Sequence, residues 1–314
     1  MKPTINSQLN TKVPKVLFIT AAGTEFAMEN NGIFVDKLNV RLKDKCQLVL
    51  QNFKNLSIEI IDEKLNAYVL SDKIELNSFE AVYFKSYFRH QEQAAAITDV
   101  VNEHGIKFYG HELSNYIPVH KLSQLTRLTR NKVRVPNTIY MPTECYVEHY
   151  SEIVRKLGKD FIFKAIDASQ GEDNYIVNSR DQLKSIVNNN QDRYFIAQTF
   201  IPNQSDIRVI IIKNRIKLIL ERSRSSDDTH LNNTSQGASA KLIEIKSFDQ
   251  RLKDIALKAA EAMGRDVAGV DIMLESGTNT PYVLEVNASP QIARGVFTKD
   301  KLDIFVDIFK ELVQ

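Results

Sequence analysis

The chain has 314 residues, 43% of them apolar and 25% charged, with 41 Lys and Arg against 39 Asp and Glu. That size and balance describe an ordinary soluble protein of two or three domains, and a formal net charge of +2 supplies no field that would draw nucleic acid or a membrane surface. Two cysteines, Cys46 and Cys145, are too few for a disulfide framework and lack metal-ligand spacing, which points to a reducing cytoplasm.

Residues 1–14 are polar and carry Pro3 and Pro14, so they read as a flexible arm and not as a signal peptide or anchor. No apolar run approaches the roughly 18 residues that cross a bilayer. Lys15 to Thr20, closed by Ala21-Ala22-Gly23, has the short apolar pattern of a buried strand. Strands are predicted at Leu56 to Ile61, Ala81 to Lys85 and Ile106 to Tyr109, with a helix from Arg89 to His104 stopped by Gly105. The alternation predicts an open parallel α/β domain over residues 15–117. A helical pattern runs from Val119 to Asn131, and Pro136 leads into a strand. Helices at Glu144 to Leu157 and Arg180 to Asn188, with strands at Phe161 to Ala165 and Tyr194 to Ile201, predict a small second layer over residues 118–200. Residues 201–314 form the third part. Ile207 to Ile212 and Ile216 to Ser223 flank a Lys213-Asn214-Arg215 turn, a hairpin signature. A polar loop over residues 224–239, a helix from Phe248 to Met263 and a terminal helix from Leu302 to Val313 complete the chain.

Chemistry concentrates in two apolar strands near the end. Asp271-Ile272-Met273-Leu274 and Tyr282 to Pro290 are joined by a Gly-, Thr- and Asn-rich turn from Glu275 to Pro281. Alternation puts Glu285 and Asn287 on one face and Leu284 and Val286 in a core. Two carboxylates, Asp271 and Glu285, with the Asn287 carbonyl oxygen make the hard oxygen set that Mg²⁺ prefers when phosphate oxygens complete its octahedron. Two amphipathic strands with polar residues facing water would show the same residues.

Upstream, Lys164 is the only charge in Phe161-Ile162-Phe163-Lys164-Ala165-Ile166, and an ammonium in such a run calls for an anion, although a snorkelling edge lysine fits as well. Ser169-Gln170-Gly171 could offer backbone N–H groups to phosphates or form a plain turn. Gln198-Thr199-Phe200-Ile201, ending before Pro202, presents extended backbone suited to a purine edge. Asp206 and Arg208 share a strand face and could meet a ribose hydroxyl and a phosphate or form an exposed ion pair. Arg222, in Glu221-Arg222-Ser223-Arg224, could hold phosphate or carboxylate bidentately.

Taken together with Lys121 and Asn233, these fragments resemble, in order, the ATP-grasp ligases. Asp266-Val267-Ala268-Gly269-Val270-Asp271-Ile272 and Glu285-Val286-Asn287-Ala288-Ser289-Pro290 resemble the RimK-like branch, over about residues 115–292. The resemblance implies a two-layer α/β ATP-grasp fold: an N-terminal open parallel-sheet domain, then two subdomains with mixed or antiparallel sheets. It implies ATP and two Mg²⁺ ions, with Mn²⁺ as a substitute, held by Asp271, Glu285 and Asn287. Lys121 and Lys164 become phosphate lysines, the Ser169-Gln170-Gly171 loop a lid, and Gln198 to Ile201 the adenine segment. Asp206 would reach the ribose and Arg208 the phosphate side, while Arg222 and Asn233 would approach the transferred phosphoryl group. The implied reaction joins a carboxylate, on a small molecule, peptide or protein, to an amine or amino acid through an acyl phosphate, releasing ADP and phosphate.

Lys85, Arg89 and Arg294 are basic candidates for gripping the acid, or solvated surface charges. Glu172-Asp173-Asn174 stands where relatives have a glycine-rich lid, and Gln236, Ala238 and Gln291 also depart from the family pattern, which bears on the acceptor more than on ATP. Two other readings stay open: a nucleotide-binding protein without turnover, and a ligase with a thiol acceptor. A homo-oligomer is compatible with either.

Overall fold

The computed structural model describes residues 13–115, 120–167, 173–223, 239–290 and 296–314. The chain divides into two compact units, one formed by residues 1–114 and 299–314, the other by residues 115–298.

In the first unit, β1 (Lys15–Thr20) is followed by α1 (Glu25–Leu42) and β2 (Gln47–Asn52). The sequence reading did not anticipate α1. Thr24 caps it, its hydroxyl accepting from Ala27 N–H at 3.1 Å, and Phe34, Val35, Leu38 and Leu42 face the core. Phe26, Ile33 and Val40 on the same helix are exposed, which blurs the helical period. Next come β3 (Leu56–Ile61), β4 (Lys64–Val69), β5 (Ile74–Glu75), β6 (Ala81–Phe84), α2 (Gln91–Glu103), β7 (Lys107–Tyr109) and the short α3 (His111–Ser114). The expected parallel sheet is present, in the order β2-β1-β6-β7. The strand at Leu56–Ile61 belongs instead to a separate antiparallel sheet, β3-β4-β5. Helix α2 starts at Gln91, and Arg89 lies before it with φ +66, a left-handed backbone that a helix excludes.

The second unit opens with α4 (Lys121–Arg130), β8 (Thr138–Ile139), α5 (Tyr150–Leu157), β9 (Phe161–Ala165), β10 (Asn174–Val177), α6 (Arg180–Asn188) and β11 (Phe195–Thr199). The strands make an antiparallel sheet, β10-β9-β11-β8. One face carries Phe161, Phe163, Ala165, Phe195 and Ala197 into a core with Ile153, Leu157, Leu183 and Ile186. The predicted helix from Glu144 is broken: Thr143–Cys145 is a single 3₁₀ turn, and α5 begins at Tyr150. Tertiary bonds override the helical pattern there. Tyr146 Oη donates to the carbonyl of Phe195 at 2.9 Å, and Thr143 Oγ1 donates to the carbonyl of Arg193 at 2.6 Å.

The larger sheet follows, from β12 (Ser205–Ile212), β13 (Arg215–Ser223), β14 (Ser239–Ile243), α7 (Gln250–Ala262), β15 (Val267–Leu274) and β16 (Pro281–Asn287). Its order is β14-β13-β12-β15-β16, antiparallel throughout. Ile207, Val209, Ile211, Ile219, Val270 and Ile272 cover one face together with Leu252, Ala256 and Ala259 of α7. The opposite face carries Ile210, Ile212, Leu218 and Leu220 together with the polar residues Asp206, Arg208, Arg222 and Asp271.

Helix α8 (Thr298–Leu312) ends the described chain. The sequence reading grouped it with residues 201–314, yet from Lys299 onward it belongs to the first unit. Phe305 packs edge-on against Phe34 at 5.2 Å and Phe309 against Tyr83 at 5.2 Å. Among the described residues, no helix is long and apolar enough to cross a membrane.

Candidate active site

Register across the larger sheet assembles the site. Arg208 on β12 stands opposite Asp271 on β15, and Asp271 stands opposite Glu285 on β16, so one cation and two carboxylates lie side by side. One row further along, Arg222 on β13 pairs with Asp206 on β12. All five lie on the face away from α7, because their strand neighbours Ile207, Val209, Val270, Ile272 and Val286 fill the core below it.

The β16 edge differs from strict alternation. The register shifts after Asp271, so that Ile272 faces Val283 while Asp271 faces Glu285, leaving Leu284 as the extra residue. Val283 and Val286 are therefore the fully buried pair and Leu284 is only half-buried, which corrects the expectation that Leu284 and Val286 share the core. The bulge turns Glu285 and Asn287 together onto the polar face, where Asn287 Nδ2 donates to Glu285 Oε1 at 2.9 Å.

Hydrogen bonds lock the charged row. Arg208 donates Nε to Asp271 Oδ1 at 2.7 Å and Nη2 to Oδ2 at 2.6 Å, a bidentate fork. Arg222 forks onto Asp206 at 2.6 and 2.8 Å and reaches Asp271 Oδ2 at 3.2 Å. Burial works against the charge on Asp271, but Arg208 and Arg222 overcome it and hold the carboxyl at about 2. On Asp206 burial wins, reinforced by the nearby Asp271 charge, and pushes its carboxyl up to about 6 despite Arg222. The acid and cation that the sequence placed two apart, Asp206 and Arg208, thus find their partners across strands and not along β12.

The smaller sheet contributes a second polar surface. Lys164 pairs with Ile196, and Gln198 pairs with Ile162 and Thr138, so Lys164 and Gln198 share the face opposite the Phe161–Phe163–Phe195 core. Gln198 is buried, and its Nε2 donates to Thr138 Oγ1 at 2.8 Å. Thr199 keeps a hydroxyl oxygen shielded from water with no hydrogen-bond partner, Ile201 is buried and Phe200 half-buried. Burial lowers the Lys164 ammonium to about 8, against the pull of Glu285 and with Lys121 adding to the fall. Lys121, at the start of α4, is lowered by burial too, and Glu285 again opposes the shift. Its Nζ donates to the carbonyl of Ile166 at 3.4 Å. The Glu285 charge thus opposes the fall of both lysines and adds, as the smallest contribution, to the support of Arg208.

Two contributors escaped the sequence reading. Gln124 lies one turn beyond Lys121, and its buried Oε1 accepts from Val286 N–H at 3.0 Å, fixing β16 between Glu285 and Asn287. A polar residue three positions from a lysine on a helix face was the available signal. Gly269, opposite Asn287, has Pro290 so close that a Cβ would come within 2.7 Å of it. Ser169, Gln170, Gly171, Asn233 and Arg294 lie outside the described residues. Lys85 and Arg89 belong to the first unit. Lys85 N–H donates to the Ile19 carbonyl, and the exposed Arg89 guanidinium lies over the Phe88 ring at 5.8 Å.

Chemically, the polar face offers two carboxylates and an amide oxygen, and Lys121 and Lys164 are both buried cations on which the Glu285 charge bears. Among the described residues no group of three or more His, Cys, Asp or Glu could hold a metal ion. A divalent ion on Asp271, Glu285 and Asn287 would need oxygens from a bound ligand, and the buried Lys164 ammonium would be favoured by an anion; a polyphosphate satisfies both.

A family model described as the RimK-like ATP-grasp domain matches residues 119–312, more than half of the chain. The chain belongs to the RimK-like ATP-grasp family. Within it, the chain is 28% identical over 177 residues to the ribosomal protein bS6–L-glutamate ligases of Salmonella paratyphi B and Salmonella newport, a match covering 54% of this chain and 55% of each relative. The chain thus spans about half the length of the curated relatives it matches. The ATP-grasp fold extends further. The ligase PsnB, in a complex with a phosphomimetic minimal precursor, Mg and ADP, superposes with a TM-score of 0.68 at 15% identity, over 95% of this chain and 98% of that one. The D-alanine–D-alanine ligase of Bacillus anthracis gives 0.68 at 16% identity over 96% and 97%. The family and the mixed α/β ATP-grasp fold expected from the sequence are both borne out.

Proposed function

We propose that this RimK-like protein is an ATP-dependent carboxylate–amine ligase that forms an amide bond through an acyl phosphate and releases ADP and phosphate. The observation that carries the reading is the row of Arg208, Asp271 and Glu285 in register across the larger sheet, with Arg208 forked onto the buried Asp271 and Asn287 bonded to Glu285. Its relatives are named as ligases, one group joining L-glutamate to a ribosomal protein and another joining two D-alanines. The acid here is a small molecule, peptide or protein and the amine an amino acid, in a cytoplasmic setting that suits the free Cys46 and Cys145.

In this reading Lys121 and Lys164 hold the phosphates, and Gln198 to Ile201 line the adenine, with Thr199 Oγ1 available as a hydrogen-bonding group. Arg208 and Arg222, held by the Asp271 and Asp206 carboxylates, would meet the negative charge that grows as the γ-phosphoryl moves. Asp271, Glu285 and Asn287 would hold two Mg²⁺ ions, or Mn²⁺ in their place, and these would clamp and neutralise the phosphate oxygens. Ser169, Gln170, Gly171 and Asn233 take the lid and phosphoryl-contact roles of the family. Lys85, Arg89 and Arg294 are the basic groups offered to the acid. No protein nucleophile is required, because the phosphoryl group activates the acid and orientation brings the amine to it.

The test is release of ADP and phosphate by purified protein supplied with pools of acids and amines, with hydroxylamine as a trap. An acyl phosphate yields a hydroxamate, and Glu285→Ala abolishes both signals. ATP binding with no turnover on any pool would instead favour a nucleotide-binding role, and a thioester product would favour a thiol acceptor.

A further inference from the structure

Helix α1 presents its outward residues in a symmetric order. Phe26, Ile33 and Val40 recur every seven residues along it and are 69%, 48% and 72% exposed, while Phe34, Val35, Leu38 and Leu42 take the core side. Single exposed apolar residues are ordinary on a protein surface. A spacing of seven drifts by only about 20° per step around a helix, so these three form one continuous stripe facing water.

The charges beside the stripe change sign at its middle. Glu25 and Glu29 precede Ile33, and Lys37 and Arg41 follow it at the same two spacings, eight and four residues away. Acids first and cations last suit the helix dipole, but that field falls off within the terminal turns, and Glu29 and Lys37 lie inward of them. Along the helix the two acids stand four apart, as do the two cations, a spacing at which like charges repel. An antiparallel copy of the helix, related by a two-fold axis at Ile33, relieves this. It sets Phe26 level with Val40 of the partner subunit, Ile33 against itself, and Glu29 level with the partner subunit's Lys37. Asp36, the one acid in the second half, falls level with the partner's Asn30. Arg41 is already bonded to Asp303 on α8, so Glu29 and Lys37 are the charges that gain most. A parallel copy would set acid level with acid and cation with cation.

We propose that the outward face of α1 is a homodimer contact, covered by a second copy of this chain packed antiparallel about a two-fold axis at Ile33. One self-complementary patch then serves both protomers, which is the geometry of a closed two-fold pair. Contact through a single helix is small among stable interfaces, so the dimer forms reversibly with concentration. The inference does not depend on the reading of the nucleotide site.

Sedimentation velocity of the full chain over about 1 to 100 μM tests it, with thermal melting recorded for each variant. The wild type passes from monomer to dimer in that range, and Ile33→Asp, which sets two carboxylates on the axis, holds it as a monomer with the melting temperature unchanged. Lys37→Glu weakens association about threefold to tenfold at low salt, and adding Glu29→Lys to that variant recovers it. Single cysteines in a Cys145→Ser background locate the axis, the native Cys46 being buried. Ile33→Cys gives a covalent dimer on oxidation. Val40→Cys does not, because Val40 stands about 10 Å along the helix from the axis and about 20 Å from its mate. A wild type that stays monomeric throughout, or a dimer that survives Ile33→Asp, overturns the inference. Crosslinking by Val40→Cys as readily as by Ile33→Cys, or by neither, overturns the antiparallel two-fold.

Discussion

Asp271 and Glu285 stand in register on one face, yet the two carboxylates are embedded differently. Asp271 is buried and takes three hydrogen-bonding contacts from Arg208 and Arg222, whereas Glu285 is half-buried and is hydrogen-bonded by Asn287. Removing one partner from a buried ion network leaves the others uncompensated, so Asp271→Asn is expected to cost about 3–5 kcal/mol of stability. Glu285→Gln keeps the shape and is expected to cost about 1 kcal/mol or less. Urea midpoints of the two variants check this, and equal losses would mean that the arginine forks contribute little. The consequence for function is practical: activity lost in a Glu285 variant reports on the site, while activity lost in an Asp271 variant mixes site and fold.

Lys164 carries the pH dependence at the same scale. Burial holds its ammonium at about 8, whereas an unfolded lysine titrates near 10.4. Between those values the unfolded chain binds more protons, so this residue's contribution to stability rises with pH across the window; below about 8 the full cost of burying the charge is present. Bound phosphate reverses the balance by favouring the charged form. ATP affinity is thus expected to be level below about pH 8 and to fall above it, with proton uptake on binding that calorimetry in two buffers detects. Lys164→Arg, which stays charged, flattens the fall. A wild-type affinity independent of pH between 7 and 9.5 would remove Lys164 from the phosphate site.

At the scale of elements, much was readable because both sheets have one buried face. In Phe161-Ile162-Phe163-Lys164-Ala165 the sequence singled out Lys164 as the lone charge of an apolar run, and strand alternation puts it on the face away from the aromatic core, the face that Gln198 of β11 shares. The β15–β16 hairpin was readable for the same reason, but its bulge was not, since Leu284 is as apolar as Val283 and only the pairing with Asp271 decides which is buried. Helix α1 was hidden by exposed apolar residues on its outer side, and the break before α5 by bonds from Tyr146 and Thr143 to residues some fifty positions away. Close approach is equally invisible along the chain. Gly269→Ala would drive a methyl into Pro290, three residues beyond Asn287. Overpacking of this kind costs about 1–3 kcal/mol, and because the strain falls on the β16 exit we expect ATP turnover to drop more than the melting temperature does. Activity and melting curves of that variant, run together, separate the two effects.

At the scale of the whole molecule, the last helix packs within the first unit, although sequence order attaches it to residues 201–314. Continuity makes α8 an extension of residues 201–314, while its buried stripe of Leu302, Phe305, Phe309 and Leu312 packs in the first unit. Nothing local encodes that choice: the stripe would suit any apolar surface, and its partners Phe18, Phe34 and Tyr83 lie more than two hundred residues earlier. Phe309 is fully buried, with its ring 5.9 Å from that of Phe18 on β1 and 5.2 Å from Tyr83 on β6, so it closes the core over the two central strands of the parallel sheet. Truncating a phenylalanine in such a place removes its transfer energy and leaves a cavity, together about 3–5 kcal/mol. Phe309→Ala is therefore expected to lower the urea midpoint followed by circular dichroism as far as a core substitution on β1 does, and Phe309→Leu, which refills most of the space, to recover the larger part. A Phe309→Ala midpoint equal to wild type would mean that α8 merely lies on the first unit and that β1 and β6 are sealed without it.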